Sequence, residues 1–584
     1  MSLFQQIRAR VVQALDDMAS QGQLPEGLNL TAVTVEPPRD PAYGDMATNA
    51  AMVLAKGAGQ KPRDIATTLA EHLLKDELID AADVAGPGFL NLRLNPSVWQ
   101  SVVAQVLDEK AEFGRSTIGT GKKINVEFVS ANPTGPLHVG HVRGAVFGDA
   151  LSNLLDFAGF DVTKEYYIND GGAQVDVLAR SVYLRYLEAH GRTIAFEDGT
   201  YPGDYLIPVG EALKERVGDA WLDQPEDVWL ADAREFATNA MMEMIRVDLK
   251  DLGVEMDQYY SEKSLYGTGR IEAALEDLKS KGLIYEGTLE PPKGKLPEDW
   301  EARIQTLFKS TEHGDDVDRP VQKSDGNWTY FAPDIAYHFD KISRGFDALI
   351  DVFGADHGGY VKRMKAAVSA LSDGNVSLDI KLIQLVKLMK NGAEFKMSKR
   401  AGTFVTLRDV LDMVGADVTR FVMLTRKNDA PLEFDFDKVQ EQSKDNPVFY
   451  VQYAHARIRS AQRKGADIGV DLGQLSEALA NGETNAIFTD AGELTLIRRL
   501  AEWPRVVEAA AKSNEPHRIA FYLYDLASDF HALWNRGNDR PELRLVQENN
   551  VIASAQKQAL AEACRQVLEN GLTICGVKPV EEMR

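Results

Sequence analysis

The chain has 584 residues, 44% apolar and 26% charged, a length that predicts about three to four cores and a composition that excludes a fibrous or disordered protein. Its two cysteines, Cys564 and Cys575, have no His or Cys partner at zinc-ligand spacing, which excludes a disulfide framework and a structural metal site and points to a reducing cytoplasm. A net charge of −23 counts against nucleic acid as a partner unless a local basic face overrides it, since phosphate contacts need Lys and Arg.

In chain order, Phe4, Ile7, Val11, Leu15 and Met18 recur at helical spacing, predicting a domain's own helix rather than a targeting segment. In "GPGFLNLRLN", Leu90, Leu92 and Leu94 alternate with Asn91 and Arg93 as in a half-buried strand, and Pro96 ends it. Residues 1–110 therefore read as an N-terminal α/β domain, followed by a glycine-rich linker over 111–122.

A second unit opens with Ile124, Val126 and Phe128 alternating as a strand, then a loop from Ala131 to Pro136. From His138 on, Val142, Val146, Ala150, Leu154 and Ala158 fall on one helical face, and the strand-like "DVTKEYYIN" follows. Strand, helix, strand is the unit of a parallel nucleotide-binding sheet. Residues 190–325 read as a polar, helical insertion with a turn-rich stretch at Pro291, Pro292, Gly294 and Pro297; the sheet resumes with "DALIDVFG" and "IKLIQLVKLM". Beyond about 440, apolar residues recur every three or four positions, predicting an all-helical domain. The expected fold is thus multidomain α/β: an N-terminal α/β domain (1–110), a Rossmann-like domain (120–435) with the insertion, and an all-α domain (436–584). No apolar run is long enough to span a membrane.

Two short patterns carry chemistry. In His138-Val139-Gly140-His141, at a strand-to-helix handover, the side-chain-free Gly140 lets a flat base approach, the helix N-terminus favours phosphate oxygens, and two imidazoles can donate to developing charge. Alone, the pattern equally describes two surface histidines capping a helix. In Lys396-Met397-Ser398-Lys399, followed by Gly402, two ammonium groups on a glycine-flanked loop can neutralise a departing polyphosphate. Alone, that run equally describes a solvated face.

Together, in this order, the two resemble the ATP-binding signatures of the class I aminoacyl-tRNA synthetases. The likeness extends along nearly the whole chain to the bacterial arginyl-tRNA synthetase family, through "VEFVSANPTGPLHVGHVRGAVFGD", "EYYINDGGAQVDVLARS", "YPGDY", "TYFAPDIAYHFDK", "GADHGGYVKRMKAA", "KMSKRAGTFVTLRDVL" and the closing "GLTICGVKPVEEM". The resemblance implies L-arginine, ATP with Mg2+ and arginine tRNA as substrates, and a cytoplasmic monomer with an N-terminal domain touching the tRNA elbow. It implies catalytic roles for His138, His141, Lys396 and Lys399, and ATP contacts from these residues with Pro136, Gly140, Met397 and Ser398. It implies that Ser130 and Asn132, beside His138, hold the arginine α-amino and carboxylate groups, with Glu127, Tyr330 and Asp334 around the guanidinium and either Asp356 or His357 at a further pocket position. A carboxylate suits that task because it can accept the guanidinium fork bidentately.

In the helical domain, Tyr453, Arg457 and Arg463, with Arg459, Lys464, Arg498, Arg499, Arg505, Tyr450 and Trp503, interleave basic and aromatic residues as anticodon contacts require. Residue by residue, buried aromatics and solvated arginines remain the simpler account. Among rivals, the cysteine enzyme needs zinc-binding cysteines and the glutamate and glutamine enzymes a cationic pocket. An inactive synthetase-like tRNA binder does not need both signatures intact, and a small nucleotidyltransferase does not explain the helical domain.

Overall fold

A computed structural model describes residues 2–38, 40–289, 303–395, 405–443, 445–474 and 488–583. The opening helix, Leu3–Ser20, buries the predicted face, and Ser2 and Gln5 exchange side-chain and backbone bonds in a capping box. It shares a core with a four-stranded antiparallel sheet of β1 (Val35–Glu36), β2 (Met46–Thr48), β3 (Ile79–Ala85) and β4 (Phe89–Leu94), in the order β1-β2-β4-β3. The alternation of Leu90, Leu92 and Leu94 holds, but Asn91 is buried as well, because β4 is an inner strand.

Residues 111–122 are packed rather than a free linker. Phe113 is buried and its carbonyl accepts from Trp503 Nε1 at 3.0 Å; at Gly114 (φ +88°) a Cβ would come within 2.3 Å of the Trp503 ring. Glycines there serve close approach to bulky side chains, which composition alone cannot distinguish from flexibility.

The chain then builds β5 (Lys123–Glu127), the helix Val139–Phe157, β6 (Asp161–Ile168) and β7 (Gln258–Ser261). Next come β8 (Ile284–Gly287), β9 (Gln305–Phe308) and β10 (Arg319–Gln322), a separate antiparallel sheet, before β11 (Ala348–Gly354) and β12 (Ser377–Ile383) return to the first. The parallel sheet runs β12-β11-β5-β6-β7. Its order reverses between β5 and β11, and the strand ends at that reversal open the crevice where such sheets bind ligands.

The expected helical insertion over 190–325 needs correction. Gln174–Ala189, Ile207–Val217 and Glu226–Asp251 are helices with their own core around Leu178, Val182, Tyr186 and Met241, but β7 is an edge strand of the parallel sheet and β8 to β10 are strands. Each has four residues, too few to print a period of two on a polar background. The turn-rich stretch at Pro291 to Pro297 lies outside the described residues. "IKLIQLVKLM" also divides: β12 stays in the parallel sheet, whereas β13 (Val386–Lys390) pairs with β14 (Ala393–Glu394) and β15 (Leu432–Asp435).

Beyond residue 440 the described residues form no strand; the long helices are Pro447–Asp467, Ala491–Ser513, His517–Asp539 and Val551–Ile574. Cys564 and Cys575 are buried free thiols, and burial pushes Cys575 up to about 12, so neither is a reactive nucleophile.

One buried clamp ties these helices to the parallel sheet. The Arg420 guanidinium binds Asp149 on the helix Val139–Phe157 and donates to the carbonyls of Cys575 (2.9 Å), Leu252 and Gly253 (both 3.2 Å); Asp149 also accepts from Lys164 at 2.6 Å. Removing one partner of a buried pair strands the other charge, so Asp149→Asn is expected to cost about 3–5 kcal/mol in denaturant unfolding. The double replacement Asp149→Leu with Arg420→Met is expected to recover most of that loss; a double variant as unstable as the single one would show that the carboxylate acts through packing alone.

Candidate active site

The site stands on three carboxylates side by side on adjacent strands. Asp351 of β11 is in register with Glu127 of β5, which is in register with Glu165 of β6, and all three are buried. One helix, Phe331–Ser343, answers them. Lys341, fully buried, donates to Glu127 (2.6 Å) and Asp351 (3.0 Å). Tyr337 donates to Glu165 at 2.7 Å, Arg344 grips the same carboxylate at 2.6 and 2.9 Å, and His338 bonds Asp351 through Nε2 at 2.9 Å. Burial works against charge here, but the cations prevail: Asp351 and Glu165 are held below the usual carboxylate range, and Lys341 is raised by Asp351 and Glu127.

That network fixes the first turn of the helix, which carries Asp334; His338 Nδ1 donates to the Asp334 carbonyl at 2.8 Å. Among the described residues the Asp334 carboxyl forms no ion pair. Burial pushes it up to about 7, with Glu262, Glu127 and Asp351 adding to the rise against the opposing His338. Tyr330 sits just before the helix with 71% of its surface exposed, and its hydroxyl and the Asp334 carboxylate both act on Tyr266. Tyr266 donates to Glu262 at 2.9 Å, and Glu262 is itself raised by burial and by Asp170. Asp334 and Glu262 thus form a pair of raised acids beside the Tyr266 phenol.

Glu262 was missed by sequence reasoning. It lies on a short turn after β7, where a lone acid reads as solvated surface, and its only local signal is Tyr266 one helical turn away. Glu127 is buried as expected for a charge in an apolar strand, but both its oxygens are engaged, by Lys341 and by the Ser130 hydroxyl (2.9 Å). Its place is as a support.

After β5 the backbone turns sharply, with Val129 at φ +69° and Ser130 at φ +39°. A β-branched residue there is strained, and the turn is held by the Ser130 amide to the Phe128 carbonyl (3.0 Å) and by the Tyr167 amide to Ser130 Oγ (3.1 Å). The turn delivers Asn132, bonded to Gln174 at 2.9 Å, into the cleft beside His138. Asp356 and His357 lie on the turn after β11, exposed and 3.7 Å apart. Among the described residues neither bonds to Asp334 or Glu262, so the geometry favours neither over the other.

His138 and His141 cap their helix. His138 Nδ1 accepts from the Gly140 amide (3.1 Å), His141 Nδ1 accepts from the His138 amide (3.3 Å), and the rings stack at 3.8 Å. With each Nδ1 accepting, each neutral ring carries its hydrogen on Nε2, so capping and donating are performed by opposite nitrogens. Gly140 has a packing reason as well, since a Cβ would come within 2.8 Å of the His138 ring.

The Lys396, Met397, Ser398 and Lys399 signature lies outside the described residues, but its flanks do not. Upstream, the Phe395 amide bonds the Leu388 carbonyl at 2.9 Å; downstream, Val139 bonds Val405 (3.2 Å) and Leu407 bonds Leu137 (2.7 Å), pairing His138 with Thr406. Backbone pairing therefore brings residues 405–407, downstream of the lysine signature, to the histidines. A cleft of about 590 Å³ is lined by residues from Ala131 to His141, Pro136 and both histidines among them, and by residues 200–205.

The helical domain separates the basic residues the sequence grouped. Arg457 lies over Tyr453 (4.3 Å) and Trp534 (4.8 Å), a half-buried stack, whereas Arg459 and Arg463 pair with Glu581 (2.6 Å) and Glu582 (3.4 Å). Arg498 turns to Asp45 (2.8 Å) and Trp99 and Arg505 lies over Phe4, so these two contact the N-terminal module, whereas Trp503 is fully buried against Phe113, Phe157 and Tyr522.

A model of the tRNA synthetases class I (R) catalytic domain matches residues 102–194, one of the arginyl tRNA synthetase N terminal domain residues 5–94, and one of the DALR anticodon binding domain residues 451–583. The reversed parallel sheet with its histidine signature is that of a class I aminoacyl-tRNA synthetase. Relatives include arginine–tRNA ligases of Roseobacter denitrificans, 71% identical, and Ruegeria pomeroyi, 70% identical, each over 100% of both chains. The chain belongs to the arginine–tRNA ligase family. The same fold is found in the arginyl-tRNA synthetases of Thermus thermophilus (TM-score 0.72, 20% identity, 100% of both chains) and Plasmodium falciparum (TM-score 0.70, 15% identity, 100% of this chain and 99% of that one).

The Asp334 environment sets a pH dependence. An unfolded aspartate ionises near 3.9, so with its native value about 7 the empty site loses stability as pH rises from about 4 to 7. A guanidinium favours the ionised carboxylate, so binding should release about half a proton at pH 7 and strengthen as pH rises through that value. Calorimetry of arginine binding in two buffers of different ionisation heat checks this; a proton count of zero at pH 7, or one unchanged in Asp334→Asn, rejects the assignment.

Proposed function

We propose that the chain activates L-arginine with ATP and transfers it to the 3′ end of arginine tRNA, acting as a cytoplasmic monomer. The observation that carries the substrate assignment is the pair of raised acids, the half-buried Asp334 and the buried Glu262, neither of which forms an ion pair among the described residues, beside acids that Lys341 and Arg344 do neutralise. A planar guanidinium offers donors to both acids at once; a lysine ammonium presents a single point.

In this reading Ser130 and Asn132 orient the α-amino and carboxylate groups. The carboxylate oxygen bonds to the ATP α-phosphorus as the bond to the β-phosphate bridging oxygen breaks, and pyrophosphate leaves with that electron pair. Mg2+ accompanies the ATP phosphates and shields their charge. His138 and His141 donate from Nε2 to the phosphoryl oxygens, with Pro136 and Gly140 lining the approach, and Lys396 and Lys399 neutralise the leaving group. The tRNA terminal ribose hydroxyl then bonds to the arginyl carbonyl carbon, AMP departs with the acyl–oxygen electron pair, and the hydroxyl proton passes to an AMP phosphate oxygen. The chain's contribution is positioning and charge stabilisation. For tRNA, the Arg457–Tyr453 stack suits anticodon bases, and the exposed Tyr43 and Phe89 in a groove of about 540 Å³ on the N-terminal sheet suit the elbow.

Arginine-dependent ATP–pyrophosphate exchange, with and without tRNA, tests the whole reading; no exchange in either condition rejects it. In that assay Asp334→Asn should cost about 1.5–3 kcal/mol in arginine recognition with ATP affinity unmoved. Citrulline should be rejected strongly by the native enzyme and less strongly by the Asn variant, whose amide can donate to the urea oxygen. Loss of arginine without relative gain of citrulline moves the recognition to Glu262.

The capping geometry gives a cleaner histidine variant than alanine. His138→Asn keeps a good N-cap and should leave unfolding within about 0.5 kcal/mol, while removing the Nε2 donor and slowing activation roughly 10- to 1000-fold. Full activity in a stable variant would reduce His138 to a cap.

A further inference from the structure

We propose, resting on the arginine–tRNA ligase reading above, that His531 is a positioning residue for tRNA binding: its imidazole holds the Arg457 guanidinium on the rings of Tyr453 and Trp534 without neutralising it. His531 lies on the helix His517–Asp539, buried against the helix Pro447–Asp467. Both ring nitrogens are engaged there. Arg457 Nη1 donates to Nδ1 at 3.3 Å, and Nε2 donates to the Tyr450 carbonyl at 3.1 Å. A guanidinium cannot accept and a carbonyl cannot donate, so these partners fix one neutral tautomer. Burial, reinforced by Arg457 and opposed by the Tyr450 bond, pushes the imidazole down to about 4, which keeps it an acceptor at physiological pH. Arg457 is steadied further by its Nη2, which donates to the Tyr453 hydroxyl at 2.9 Å. Its guanidinium carbon stands 4.3 Å from the Tyr453 ring centre and 4.8 Å from that of Trp534.

The kind of partner decides what the guanidinium can do. Arg459 and Arg463, on the same helix, pair with Glu581 and Glu582, and Arg536 and Arg540 both pair with Asp490. Among the described residues Arg457 forms no ion pair; its polar partners are the neutral His531 and Tyr453. An acid at position 531 would hold the guanidinium as firmly but neutralise it, whereas an imidazole holds it and leaves the charge for an anion outside. The surroundings suit a single-stranded loop. Tyr453 stacks on Phe449 at 5.5 Å and Tyr450 packs on Tyr524 at 5.2 Å, so the guanidinium stands beside a run of partly exposed rings. Bases splayed from a loop can lie on such rings while a phosphate meets the charge. A free arginine loses rotamer freedom when it binds; one already held in place does not, so the hold adds to affinity.

The test measures the affinity of the full-length enzyme for arginine tRNA, with His531→Phe and His531→Asn each introduced alone and together with Arg457→Ala. The first substitution keeps a ring and removes the acceptor; the second places an amide oxygen near the Nδ1 position. His531→Phe should weaken tRNA binding roughly 3- to 30-fold, with arginine and ATP affinities unchanged and no further loss in the Arg457→Ala background. His531→Asn should keep most of the native affinity. An equal loss from His531→Phe in the native and Arg457→Ala backgrounds overturns the proposal, because the ring would then act through packing alone. So does unchanged tRNA binding in His531→Phe, or a His531→Asn variant that binds no better. Arg457→Ala by itself gives a check that does not depend on how position 531 repacks: tRNA affinity unmoved by it also overturns the proposal. Native arginine-dependent pyrophosphate exchange, run in parallel, keeps those failures separate from failure of the functional reading.

Discussion

The site depends on the row Asp351–Glu127–Glu165 and its answer from a single helix. Three carboxylates in register on adjacent parallel strands are a destabilising arrangement, and they persist only because Tyr337, His338, Lys341 and Arg344 occupy one face of the helix laid over them. Such an array gives little net stability but leaves few alternative placements for the helix, since sliding it by one turn would bury several unpaired charges. The consequence lies at the helix's first turn. Asp334 comes to the mouth of the crevice in a fixed position, and the cations that satisfy the row are consumed behind it. The front pair, Asp334 and Glu262, is left to be neutralised from outside.

In the proposed reading the histidine signature combines structural and chemical roles on one side chain. Capping by Nδ1 does not compete with donation from Nε2; it orients it, because the ring must stand over the first helical turn for Nδ1 to reach the Gly140 amide. The strained turn at Val129 and Ser130 works similarly. Its unfavourable backbone is tied down by hydrogen bonds from β6, and it redirects the chain from a buried strand to the cleft in a few residues.

Most of the fold was legible in the sequence, for a physical reason in each case. The helices Leu3–Ser20, Ala491–Ser513 and His517–Asp539 bury apolar residues at three- and four-residue steps, so their periods survive in the composition. β7 to β10 did not print, because four-residue strands carry too few alternations. The site was legible where a motif compresses function into neighbouring residues, as at His138–His141. It was less so for distant single residues: Asp334 was named only through the family resemblance and Glu262 not at all, since the two approach only because β7 and the helix Phe331–Ser343 converge. Acids within apolar strands were a usable signal. Glu127 was noticed on that ground, and Glu165 in "EYYIN" and Asp351 in "DALIDVFG" carry the same mark.

The net charge of −23 is reconciled with a tRNA partner by how the cations are spent. Arg420 and Lys341 are buried in ion pairs, Arg498 joins Asp45 on the N-terminal module, and Arg459 and Arg463 are matched by Glu581 and Glu582 at the chain's end. Few arginines so placed are available to bind a backbone phosphate without first losing a carboxylate. Recognition in the proposed reading therefore leans on stacked and aromatic surfaces such as Arg457 with Tyr453 more than on a diffuse positive field. A surface of that kind gives up rapid electrostatic capture, which falls with salt, and relies on base contacts that salt screens weakly.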